Sequence, residues 1–116
     1  MKSKVNHWQL VTKNPAAAAT FYTALFGWKI SEANNLGYRM VSGAGISGGI
    51  WPAPPDAPEI TQLYVEVDNI DDALTNVERL GGRIIMAKQI LPDGDAMALA
   101  ADPMGRPFGI MQTLGG

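Results

Sequence analysis

The chain has 116 residues, of which 47% are hydrophobic and 17% charged, with a formal net charge of -2 and no cysteine. That length sets an expectation of one compact domain, and the composition excludes intrinsic disorder, disulfide frameworks, thiolate metal sites and cysteine nucleophiles. With no run of Lys or Arg, nucleic acid and anionic membrane are excluded as partners, and the expected partner is a small molecule or a second copy of the chain.

Val5 to Thr12 alternates and favours extended backbone, so a strand is predicted there. Asn14 then reads as a helix N-cap with Pro15 at the first helical position, and Gly27 as the left-handed stop. Between them Ala18, Phe21, Tyr22, Leu25 and Phe26 form an apolar stripe at helical spacing. Strands follow at Trp28 to Glu32, Tyr38 to Ser42 and Ser47 to Trp51, with Asn34-Asn35-Leu36-Gly37 as the first turn. Residues 52 to 58 hold four of the eight prolines and read as a connector.

The pattern then recurs. A strand is predicted at Thr61 to Val67, a helix at Ile70 to Leu80, and strands near Arg83 to Ala87, Ala96 to Ala101 and Pro107 to Thr113. Asp71 and Asp72 fall in the first helical turn, where the helix dipole favours them. Asp102 reads as a turn hydrogen-bonder before the last strand.

Residues 7 to 30 lie over residues 62 to 85 without a gap, and six of the 24 positions are identical, including Asn14/Asn69 and Gly27/Gly82, which bracket the same helix. Gly45, Gly49 and Ile50 meet Gly105, Gly109 and Ile110 at an offset larger by five, an insertion placed in the loop at Pro92-Asp93-Gly94. The implied organisation is an α+β domain of two tandem βαβββ modules, about 4–51 and 60–114, joined by a Pro-rich connector at 52–59. Each module alone is too small to bury much core.

Strand alternation separates the faces of the two first strands. His7, Gln9 and Val11 share one face of the first, with Trp8 and Leu10 turned toward the helix; Gln62, Tyr64 and Glu66 share the equivalent face of its counterpart. This polar-dotted face is the expected binding surface. The start of the chain, Met1 to His7, has no apolar segment of the signal-peptide kind, and the apolar stretch Ala16 to Trp28 is too short to span a bilayer, so a cytoplasmic location is expected.

The run Asn14-Pro15, Phe21-Tyr22, Leu25-Phe26-Gly27-Trp28, Gly48-Gly49-Ile50, Val67-Asp68-Asn69-Ile70-Asp71, Leu80-Gly81-Gly82 and Asp102-Pro103-Met104-Gly105-Arg106-Pro107-Phe108-Gly109 resembles the vicinal oxygen chelate superfamily over roughly residues 5 to 113. That group includes glyoxalase I, fosfomycin-resistance enzymes, extradiol dioxygenases and bleomycin-binding proteins. The resemblance implies a half-open mixed β-barrel formed by the paired modules around a ligand cavity, commonly in a homodimer. In metal-dependent members, first and last strands of each module carry the ligands. Carried over by motif, these positions are His7, Gly49, Gln62 and Gly109.

Two glycines supply no donor, and the single histidine rules out a two-histidine, one-carboxylate iron site within one chain. The expectation is therefore a site without metal or other cofactor, with ligand contacts from His7, Gln9, Gly49, Trp51, Gln62, Tyr64 and Gly109, the bare glycines letting a ligand approach the sheet. Three functions remain open on this reading. The first is a binding protein for a small, partly aromatic molecule. The second is a metal-independent lyase, isomerase or hydrolase in which His7 or Glu66 moves a proton. The third is an atypical metalloenzyme with His7 and Gln62 as ligands. Standard glyoxalase I and extradiol dioxygenase activities are disfavoured.

Overall fold

The computed structural model describes residues 3–35, 37–57, 59–91 and 93–113. Leu36 of the predicted first turn, Pro58 of the connector, Pro92 of the inserted loop and the end of the second module at residue 114 lie outside the described residues. Ten elements are present: β1 (Ser3–Thr12), α1 (Pro15–Phe26), β2 (Lys29–Ile30), β3 (Arg39–Ser42), β4 (Gly48–Pro52), β5 (Ile60–Val67), α2 (Ile70–Arg79), β6 (Arg83–Ile90), β7 (Ala96–Ala101) and β8 (Pro107–Gln112). No helix among the described residues is long and apolar enough to cross a membrane.

The chain divides into two compact units, His7–Gln62 and Leu63–Gly116, the latter joined by the first six residues. The division falls inside β1 and β5 rather than in the Pro-rich stretch. Strands run β2-β3-β4-β1 in the first unit and β5-β8-β7-β6 in the second. Each set contains one parallel pair, β1 with β4 and β5 with β8, and antiparallel pairs beyond it. The same module order thus recurs in mixed sheets, as an α+β fold requires.

Local chemistry starts the two helices identically. Asn14 accepts from the Ala17 amide at 3.1 Å and Asn69 from the Asp72 amide at 3.0 Å. Their ends differ. Gly27 takes the left-handed conformation at φ 73° after α1, as predicted. After α2 that conformation belongs to Gly81 at φ 94°, not to the repeat-equivalent Gly82. Gly82 is required for closeness instead: a Cβ there would lie 2.9 Å from Val77 Cγ1 and press on the Ala101 carbonyl.

β2 is shorter than predicted. Beyond Ile30 the Ser31 amide still donates to the Met40 carbonyl at 2.9 Å, but the return bond from the Met40 amide goes to the Ser31 hydroxyl, also at 2.9 Å, in place of a backbone carbonyl. The Asp102 turn forms as expected, its carboxylate accepting the Met104 and Arg106 amides at 2.9 Å each.

In the second unit Ile70 and Leu74 of α2 bury themselves on Ala96, Ala98 and Ala100 of β7 and Ile110 of β8. Alanine on alternate β7 positions lets the helix settle close to the sheet. In the first unit Trp8 does turn toward the helix side, its ring 5.4 Å from Trp28, which stacks at 5.5 Å on Tyr22. The predicted apolar stripe of α1, however, is not buried: Phe21, Leu25 and Phe26 are each 57% exposed. Apolar residues surround α1 with no charged residue among them, so periodicity alone could not orient it.

Leu74→Ala removes one of the two α2 anchors, and the expected loss is about 2–5 kcal/mol of unfolding free energy by urea titration.

Candidate functional site

β1 carries His7 and Gln9 on one face, and the first unit builds a hydrogen-bonded group around them. The imidazole Nε2 lies 2.8 Å from the Tyr38 hydroxyl, and Nδ1 lies 3.0 Å from Ser47 Oγ. Gln62 Nε2 donates to Gln9 Oε1 at 3.3 Å, with both glutamines only 6% exposed. Gln9 also hydrogen-bonds the Tyr38 side chain. The Tyr38 ring meets Trp51 edge to face, with centroids 4.9 Å apart. His7, Gln9, Gly49, Trp51 and Gln62 therefore share the first unit with Tyr38 and Ser47.

The position of Tyr38 follows from Gly49. β4 pairs Gly49 with Gln9 of β1 and with Met40 of β3, so residue 49 sits between the strand that carries His7 and Gln9 and the strand that Tyr38 precedes. A Cβ at 49 would collide with the Tyr38 hydroxyl and ring. The glycine thus does not leave bare backbone for a ligand, as the sequence had suggested; it makes room for a tyrosine. Gly109 corrects the expectation in the same way, because the Tyr64 ring lies where a side chain at 109 would be. Tyr64 itself is 1% exposed.

Glu66 is half-buried in the second unit and accepts a hydrogen bond from the Thr113 hydroxyl. Tyr64, Glu66 and Gly109 thus belong to one unit and the His7 group to the other. Sequence reasoning gave Tyr38 and Ser47 only as the first residues of two predicted strands. The available signal was the glycine at 49, which marks a void that a neighbouring side chain must fill.

The bonds have a direction. Because Gln9 Oε1 accepts from Gln62, its amide nitrogen is left to donate to the Tyr38 oxygen. Tyr38 then donates its proton to His7 Nε2, and a neutral imidazole carries its hydrogen on Nδ1, facing Ser47. Burial lowers the His7 pKa from the ordinary histidine value, which agrees with a neutral ring. Burial raises the Tyr38 pKa, with the Gln9 bond pulling the other way, so the phenol keeps its proton at neutral pH.

Among the described residues no group of three or more His, Asp or Glu side chains is placed to hold a metal ion. Both ring nitrogens of His7 already meet hydroxyl groups, and the Gln62 amide is bonded to Gln9.

Two results are expected from this geometry. Nitrogen NMR of the wild-type imidazole at pH 7.5 shows the Nδ1–H tautomer, and Tyr38→Phe, which removes the donor to Nε2, loses that preference and about 1–2 kcal/mol of stability. His7 is the only histidine, so it is the side chain that titrates near pH 6.5 by its ordinary pKa. A folded pKa below the unfolded one means that the unfolded chain binds more protons in that window. Stability therefore falls as pH drops below about 6.5, and urea midpoints of His7→Asn between pH 7.5 and 5.5 are flatter than those of wild type.

The family model for the Glyoxalase/Bleomycin resistance protein/Dioxygenase superfamily matches residues 4–109. CFP32 of Mycobacterium tuberculosis, provisionally named a glyoxylase, is 34% identical over 113 residues, covering 90% of this chain and 43% of that protein. The anthracycline biosynthesis protein DnrV of Streptomyces peucetius is 30% identical over 114 residues, covering 82% of this chain and 42% of its own length. This chain thus spans less than half the length of these curated relatives. A solved superfamily member from Vibrio splendidus 12B01 superposes with a TM-score of 0.72 at 12% identity, over 97% of this chain and 99% of that one. At that identity the likeness is one of fold, and it agrees with the α+β module order. The chain belongs to the glyoxalase/bleomycin resistance protein/dioxygenase superfamily.

Proposed function

We propose that this chain is a metal-free, small-molecule-binding member of the superfamily, with its ligand contacts on the His7, Gln9, Tyr38, Trp51 and Gln62 face of the first unit. The observation that carries this reading is Tyr38 in the space above Gly49. Where the resemblance puts a metal-binding side chain in other members, this chain has a glycine covered by a phenol ring that is hydrogen-bonded to the other donor of the same unit, His7. A metal at His7 has to displace both hydroxyl partners and finds no carboxylate in exchange.

The chemistry of the face favours an uncharged, planar ligand with carbonyl or hydroxyl oxygens. Its polar groups are an imidazole held neutral, two amides and two hydroxyls, while Trp51 and Tyr38 supply aromatic edges. DnrV supports a small-molecule ligand to the extent that its name places it in anthracycline biosynthesis. The bond between Tyr38 and His7 also favours a second reading, a metal-independent isomerase or lyase. There the Tyr38 hydroxyl serves a substrate oxygen and His7 takes or returns the proton. Glu66 enters neither reading as a partner of His7, since its carboxylate is engaged by Thr113.

Thermal unfolding of chelator-treated protein distinguishes these readings from a metal site. A ligand present at about 100 times its Kd adds about 2.7 kcal/mol to stability, which is several degrees for a domain of this size. The dihydroxyanthraquinone alizarin is expected to raise the midpoint of wild type but not of Trp51→Ala, while Zn, Ni, Mn, Fe(II) and Mg leave it unchanged. A rise of several degrees with one ion, abolished in His7→Ala, overturns the metal-free reading.

A further inference from the structure

The internal repeat measures how closely the first helix packs on its sheet. Thr12, Ala18 and Tyr22 correspond to Val67, Ala73 and Val77, which close against the buried cluster of the second unit. In the first unit the same three positions line a cavity of about 280 Å³ instead, with Leu10 and Ile60 among its other walls. Two differences keep it open. A threonine replaces valine at position 12, and the Tyr22 ring is drawn onto Trp28, stacking at 5.5 Å. Every lining residue belongs to the first unit. Leu10 and Thr12 lie on the face of β1 opposite His7 and Gln9, so this space is separate from the polar face described above.

One charged group borders the cavity. Glu59 accepts hydrogen bonds from the Thr12 hydroxyl and, at 3.0 Å, from the Lys13 amide. Both bonds end on Oε2, and among the described residues Oε1 has no partner. The Thr12 bond first and the Lys13 bond second hold the carboxyl below the usual carboxylate range, so it is ionised at neutral pH. Of the surrounding charges only that of Lys13 acts on it, more weakly than either bond, and no ion pair forms between them among the described residues. The carboxylate is thus fixed through one oxygen and open to a donor at the other. An exposed carboxylate is ordinarily satisfied by water. This one differs in bordering apolar space that the equivalent part of the second unit fills.

We infer that this cavity binds a small protonated amine with an apolar body, the ammonium group meeting Glu59 Oε1 and the body lying on Leu10, Ala18, Tyr22 and Ile60. Charge selects this class. An anion is repelled by the Glu59 carboxylate, whereas a neutral apolar molecule fills the space and leaves the carboxylate to water. Size selects within the class: the volume lies just under the roughly 300–1,000 Å³ usual for ligand pockets, which suits a single ring with a short side chain. This inference does not rest on the ligand face proposed for β1.

The test is amide NMR titration of wild type with 2-phenylethylamine, against 2-phenylethanol and 3-phenylpropionate, which place an alcohol and a carboxylate on nearly the same body. Part of the ligand stays in water, so the amine is expected to bind with a Kd of about 1 mM. Its shifts are expected within residues 10–22 and 59–61, around the cavity. An exposed ion pair is worth up to about fivefold, so the alcohol is expected to bind about fivefold more weakly, and the acid not at all at the same concentrations. Glu59→Gln removes the charge while keeping an oxygen for Thr12 and Lys13. It is expected to reduce the amine to the affinity of the alcohol and to leave the alcohol unchanged. His7→Ala, on the other face, is expected to leave all three results as in wild type. The comparison of amine with acid needs no variant, so it decides the matter even if Glu59→Gln unfolds. Shifts centred on residues 7, 9, 38 and 51, an acid that binds as well as the amine, or an amine affinity unchanged in Glu59→Gln overturns the inference. So does the absence of any shift at about 20 mM amine, well above that Kd.

Discussion

The void left by the absent side chain at position 49 organises the candidate site. Only glycine there lets the Tyr38 ring lie against β4, and only from that place does its hydroxyl reach His7. The consequence passes along the hydrogen bonds. Tyr38 receives from Gln9, Gln9 from Gln62, and His7 is left neutral with its proton toward Ser47. A polar group of this kind, buried at Gln9 and Gln62 and partly so at His7 and Tyr38, is most specific at its buried end, where the low local dielectric penalises any other arrangement.

The second unit fills an equivalent void by another route. Tyr64 lies over Gly109 from the adjacent strand of a parallel pair, whereas Tyr38 reaches Gly49 from the residue preceding an antiparallel strand. The two tyrosines are not related by the internal repeat, although the two glycines are. Duplicated backbones have here kept the strand order and the helix starts while the side chains that fill equivalent spaces have changed strand. The same divergence separates the helices: one is amphipathic in the ordinary way, and the other is apolar on its outer face.

Much of the fold was legible because it rests on local chemistry. An Asn cap is readable from its place before an apolar run, and each strand face follows from alternation, as Trp8 against His7 and Gln9 shows. The errors have local causes too. Gly81 rather than Gly82 takes the left-handed turn, since adjacent glycines offer two candidates and the close approach of Val77 and the Ala101 carbonyl decides between them. The α1 stripe misled because an uncharged helix has no polar face by which to assign an inner one.

By itself the sequence determined the α+β class, the repeated module, the helix starts, the polar face of β1 and the absence of donors at residues 49 and 109. Each of these is a property of neighbouring residues or of a fixed period. Only the tertiary structure decided what fills the space above Gly49 and Gly109, which hydroxyls meet His7, and which side of α1 faces outward. Those outcomes depend on contacts such as that of His7 with Tyr38, 31 residues apart, and with Ser47, 40 residues apart, which packing selects and no local pattern encodes.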